Sequence, residues 1–314
     1  MRTVTLVILS VLLAFAPEVR CQSVRGAFAI LHDRPTYEEL KQARDDGLNL
    51  VILQYTQGTC GLPEVDATKA FIAAAESAGI DYLIGLRFHD TWDEVWEAHP
   101  DSLTALVESS LALVDTFRAS VGPHFKGWYM ALEVANAYTP AQYDALATAF
   151  ASFGTVAEPI AMGFYFNPRV PPNLDPDTFA RQVQKIIAPF DVVLLQDGVG
   201  ERLIEPRNFA TELAPYYRAV KSVVVADPRR QFWAIVEGFR CTTGFDPVNR
   251  WCLGDRSPAP PDTIREQVAA ACAVTPHVIA YDLGEFLEPV VAGNKHDAYR
   301  AFTAAVKHPP CPPI

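Results

Sequence analysis

The chain has 314 residues, half of them hydrophobic and a fifth charged, which is the composition of a globular protein with a large core rather than a disordered or fibrous chain. A net charge of −11 without Lys/Arg runs argues against nucleic acid or an anionic membrane surface as the main partner. A neutral ligand fits better.

Arg2, an apolar stretch from Val4 to Ala16 and a polar segment before Gln22 have the form of a secretory signal peptide over residues 1–21. The stretch is short for a membrane span. Cleavage after the Ala14–Ala16 match would leave Pro17 at the new terminus, so processing near Cys21 and Gln22 competes with it. Cys21 lacks the small residues expected before a lipoprotein cysteine, which favours export in soluble form, secreted or periplasmic. The remainder divides into a folded domain over residues 22–307 and a Pro-rich tail over 308–314.

Eight apolar, β-rich segments then follow: Gly26–Leu31, Leu50–Tyr55, Tyr82–Phe88, Gly127–Glu133, Ile160–Phe166, Val192–Gln196, Phe232–Glu237 and His277–Leu283. Several are continuously apolar, as parallel strands covered on both faces require. Helical patterns separate them. Thr36 with Glu39 and Thr139 with Gln142 have capping-box spacing, Pro140 and Pro176 suit a first helical turn, and Asp175 suits an N-cap. Leu103, Leu106, Val107, Leu113 and Phe117, and then Phe179, Val183, Ile186 and Ile187, repeat at helical period. Eightfold alternation without a central linker predicts an α/β fold, a single (β/α)8 TIM barrel. A doubly wound sheet shares the alternation. No G-x-G-x-x-G or P-loop follows any strand, however; the nearest, GVGER after the sixth, lacks the third glycine. No cofactor is expected.

In such a barrel the strand C-termini and the loops after them form the active face. In order, the strands end on His32 and Asp33, Gln54 and Tyr55, Arg87 and His89, Glu133 and Asn136, Tyr165 and Asn167, Gln196 and Asp197, Glu237 and Arg240, and Tyr281, Asp282 and Glu285. One polar ending is ordinary loop onset; eight at one mouth describe a hydrogen-bonding cleft. Glu133 and Glu237 end strands four and seven, across the mouth from each other, and two such carboxylates suit glycoside hydrolysis. One protonates the leaving oxygen while the other attacks the anomeric carbon or activates water. Aromatic side chains near the same ends suit sugar rings. The candidate substrate-binding residues are Tyr55, Arg87, His89, Trp92, Tyr165, Asn167, Gln196, Asp197, Trp251 and Tyr281, for a carbohydrate partner. A purely structural origin of the two glutamates would be pairing with Arg87 or Arg240.

GWYMALEVAN, FYFNP, VVLLQDGVG and FWAIVEGF, in that order, resemble a bacterial barrel family described as a domain of unknown function and regarded as glycoside-hydrolase-like. The strand-four and strand-seven glutamates resemble those of clan-A glycoside hydrolases. The resemblance spans about residues 25 to 305. It implies Glu133 as acid/base and Glu237 as nucleophile in a retaining reaction, with Asp197 as a third carboxylate. One departure is Leu132, where clan-A enzymes typically carry Asn; Asn167 or Gln196 is then expected to take over its contact with the sugar.

After export, Cys60, Cys241, Cys252, Cys272 and Cys311 would meet an oxidising compartment. A Cys241–Cys252 disulfide would contribute roughly 2–3 kcal/mol through chain entropy, and Cys272 reads as a small core residue. His32 and His89 lack metal-ligand spacing, so no metal is expected. Two other classes stay open: a non-catalytic carbohydrate-binding barrel, and a metal-dependent barrel hydrolase or isomerase.

Overall fold

All eight expected strands are present in a computed structural model that describes residues 23–29, 35–54, 56, 64–87, 101–167, 175–243, 255–283 and 294–307. They are β1 (Arg25–Ala29), β2 (Leu50–Leu53), β3 (Asp81–Gly85), β4 (Phe125–Ala135), β5 (Ile160–Tyr165), β6 (Val192–Gln196), β7 (Gln231–Glu237) and β10 (Val278–Tyr281). Each pairs parallel to its neighbours and the sheet closes in the order β1-β10-β7-β6-β5-β4-β3-β2. A short antiparallel ribbon, β8 (Phe239–Cys241) with β9 (Arg256–Pro258), follows β7.

Helices α1 (Tyr37–Asp45), α2 (Val65–Ala78), α3 (Asp101–Arg118), α4 (Pro140–Phe150), α5 (Pro176–Ile186), α6 (Ala214–Val224), α7 (Pro261–Cys272) and α8 (Asn294–Lys307) lie between and after the strands. The expected caps form. Thr36 and Glu39 bond each other's backbone amides, as do Thr139 and Gln142, and Asp175 accepts from the Thr178 amide at 2.7 Å. Each supplies orphan first-turn donors with a partner. Pro140 and Pro176 stand in first turns, where no helical N–H is lost.

Alternation along each strand splits the core into two layers. Phe28, Ile52, Leu83, Tyr129, Trp233 and Ile235 are among the side chains that fill the barrel interior. Residues of opposite parity, such as Met130, Leu132, Phe164, Ala234 and Val236, pack with the helices in the surrounding layer. Gly163 makes room inside: a Cβ there would stand 2.5 Å from the Tyr129 hydroxyl.

The parity also decides which way strand ends point. Tyr129 and Ala131 face inward, Leu132 is wholly buried in the outer layer, and Glu133 therefore returns to the axis. The β4–β5 register shifts between Met130 and Val134, where four residues of β4 run against two of β5, from Met162 to Phe164. Glu133 sits in this bulged stretch, a place where strands re-aim side chains. By the same count Gln196 and Glu237 face inward, after Leu194 and Ile235, while Asp197 turns outward.

Cys241 and Cys272 are each disulfide-bonded. Cys272, expected as a small core residue, is buried at 3% exposure and is disulfide-bonded as well. Cys252, the expected partner of Cys241, lies outside the described residues, as do the N-terminal segment and the Pro-rich tail. Among the described residues no helix is long and apolar enough to cross a membrane.

Candidate active site

At the C-terminal mouth Gln196 donates from Nε2 to Glu133 Oε1 at 2.8 Å, joining the ends of β6 and β4. Glu133 keeps partial exposure. Glu237 is 1% exposed and stands opposite Tyr281 in the β7–β10 register. Burial at the end of β5 holds the Tyr165 hydroxyl's pKa well above the ordinary range, and the charges of Glu237, Glu201 and Glu133 add to the shift.

Glu237 rests in a cradle made by the loop after β6. The backbone amide of Glu201 donates to its Oε2 at 3.1 Å, and the Gly200 amide also bonds it. Gly200 is required here. A Cβ would lie 2.8 Å from the Phe239 carbonyl oxygen, 2.9 Å from Glu237 Oε2 and 2.9 Å from the Phe239 ring. GVGER, the near-miss to a nucleotide-binding glycine loop, thus serves as a carboxylate cradle.

No ion pair supports Glu237 among the described residues. The expected structural partners Arg87 and Arg240 do not form one with it, and the nearby cation, Arg256, pairs instead with Glu201 at 2.6 Å while lying 4.7 Å over the Phe239 ring. Burial, followed by the charges of Asp197 and Glu201, pushes the Glu237 pKa well above its ordinary value; the two amides only partly oppose this. Hydrogen bonds to a charged group contribute about 1.5–3 kcal/mol each, less than the full cost of burying an ion.

Asp197, expected to line the cleft, is instead a bracket behind it, because it follows the inward Gln196. Its Oδ1 accepts from the amides of Val199 at 3.1 Å and Glu237 at 3.3 Å, and its Oδ2 from Gln267 Nε2 at 2.8 Å. Gln267, on α7, also donates to the Glu237 carbonyl at 3.1 Å. Burial raises the Asp197 pKa to about 7 against these donors.

Asn167 is also held from behind: Asn136 accepts from its backbone amide at 2.8 Å and donates to its carbonyl at 2.9 Å. Tyr281 is partly exposed, with Phe28 and Phe239 at ring distances of 5.7 and 6.1 Å. Tyr165, expected at the mouth, is buried, as are Tyr138 and Phe239, so these rings shape the wall more than the surface. Arg87 follows β3, its backbone amide bonded to Ser110 Oγ at 3.2 Å. Tyr55, His89, Trp92 and Trp251 lie outside the described residues. Among the described residues, no three His, Cys, Asp or Glu side chains form a metal-ligating group.

Fold and mouth define a (β/α)8 barrel with glutamates toward the C-terminal ends of β4 and β7. Residues 38–293 match the family model "Domain of unknown function (DUF4434)", and the chain belongs to that family. Among solved structures it is similar to a GH5-4 broad specificity endoglucanase from Clostridum cellulovorans, with TM-score 0.57, 12% identity, and coverage of 91% of this chain and 94% of that one. It is also similar to a GH18 chitinase from Pseudoalteromonas aurantia, with TM-score 0.53, 10% identity, and coverage of 91% and 99%. At these identities the likeness is one of fold. No curated protein matches the sequence.

Proposed function

We propose that this protein is an exported glycoside hydrolase that cleaves a poly- or oligosaccharide by a retaining mechanism with Glu133 and Glu237. The observation that carries the reading is that strand parity turns Glu133 of β4 and Glu237 of β7 toward the axis at one mouth, the first held by Gln196 and the second by the Glu201 amide. The glycoside hydrolases among the structural neighbours support it at the level of architecture.

In the reaction, Glu133 protonates the departing glycosidic oxygen while Glu237 attacks the anomeric carbon. Water then releases the sugar from Glu237 with Glu133 as base. Gln196 fixes the Glu133 carboxylate and the Gly200 and Glu201 amides fix that of Glu237, so neither must reorganise during the reaction. The burial of Glu237 favours a second reading, in which the roles are exchanged and Glu237 supplies the proton, because its surroundings favour the neutral acid.

Reducing-end release from a broad glycan panel tests the reading. The native protein is expected to hydrolyse at least one glycan, and Glu133→Gln and Glu237→Gln each to lose on the order of 100-fold or more in rate. Undiminished turnover in both variants would remove these residues from the site. Binding of a glycan by the native protein without turnover would assign it to the carbohydrate-binding class instead.

A further inference from the structure

The loops that cradle Glu237 also wall a second pocket, of about 120 Å³, which Glu237 does not enter. Val199 and Phe239 form part of its apolar side; Arg202, Arg240, Glu205 and Thr263 provide its polar groups. The volume is well above the roughly 10–15 Å³ that one water needs on the same measure, enough for a small polyatomic ion.

Three features give the pocket a chemical preference. First, in a chain with 37 acidic and 26 basic residues, Arg202 and Arg240 form no ion pair among the described residues. Glu205 lines the same pocket but bonds neither guanidinium. Both forks remain available, and a guanidinium fork matches a carboxylate or sulfate through paired N–H donors. Second, Arg202 holds φ at +59°, in the left-handed region that a side-chain-bearing residue rarely adopts. Its turn is fixed by bonds from the Arg202 amide to the Val199 carbonyl at 3.0 Å and from Leu203 to Gly198 at 2.9 Å. Third, Thr263 stands in the first turn of α7, whose N-cap, Pro260, offers no side-chain acceptor to the first-turn amides. The positive end of that helix adds to the arginines, and Asp262 in the same first turn is paired with Arg265.

We propose that this pocket binds an oxyanion, a carboxylate or sulfate group, between Arg202 and Arg240. Its source is either an acidic substituent on a glycan reaching from the neighbouring mouth or a free small anion. The site stands independently of the hydrolytic reading, which bears only on the first source.

Isothermal titration with sodium sulfate and with glucuronate, at ionic strength held constant with NaCl, tests the proposal without requiring turnover. The native protein is expected to bind with Kd on the order of 1 mM, and Arg202→Gln/Arg240→Gln to bind at least about tenfold more weakly while keeping its native circular dichroism. The single charge reversal Arg240→Glu, at a partly exposed position, should abolish binding as well. A hexuronate oligosaccharide that binds more tightly than glucuronate supports the glycan-borne source; equal binding of the two supports a free anion. Saturable heat that is unchanged in the variants, or none in the native protein well above the expected Kd, would overturn the site.

Discussion

Glu237 illustrates how a residue's surroundings set its proton. An acid whose pKa is raised on folding binds more protons in the folded than in the unfolded state, so stability falls as pH rises. For Asp197 that loss accrues between the ordinary 3.8 and about 7; for Glu237 it begins near 4.5 and continues upward. Glu237→Gln keeps an acceptor for the Gly200 and Glu201 amides but removes the charge. Its Tm relative to the native protein is therefore expected to rise on going from about pH 4 to about pH 8, by on the order of 2–4 °C. A pH-independent difference would contradict the raised pKa. Glu133 and Glu237 were legible in the sequence because polar residues closing apolar strands mark a barrel mouth. Glu201 was not: its contact with Glu237 spans 36 positions and follows no period. Gln267, 70 positions from Asp197, is hidden for the same reason.

The loop after β6 and the ribbon after β7 act together as the support of the site. In Gly200→Ala the new methyl must displace the Phe239 carbonyl or the Glu237 carboxylate. The expected outcome is a stability loss of about 1–3 kcal/mol in thermal unfolding, and a larger proportional loss of turnover. Arg256→Gln removes the counter-ion of Glu201, whose side chain is 7% exposed, while Arg256 itself is 36% exposed. Breaking a wholly buried pair costs about 3–5 kcal/mol; here roughly 1–3 kcal/mol is expected because water reaches one partner. Denaturant titration at neutral pH would measure it. Equal stability of variant and native protein would show the pair to be dispensable. The capping boxes were readable from four-residue signatures, which carry their own hydrogen bonds. The three-residue strands β8 and β9 were not, since strands that short, formed by a contact between separate segments, leave no alternating pattern.

At the scale of the molecule, one property of strands organises the barrel and its site: successive side chains point to opposite faces. It separates the interior layer of Phe28, Tyr129 and Trp233 from the helix-facing layer, and it sends Glu133, Gln196 and Glu237 toward the axis while turning Asp197 away. The eightfold alternation was visible in the sequence because each parallel strand is buried on both faces. The outward turn of Asp197 followed from the same parity but was obscured by its position in a polar strand ending. The central claim is that Glu133 and Glu237 form a retaining pair. Azide rescue with an aryl glycoside of the best glycan tests it most directly. Glu237→Gly with azide should yield the glycosyl azide of inverted configuration, and Glu133→Gly with azide that of retained configuration. No azide product from either variant, with hydrolysis undiminished in both, would contradict the claim.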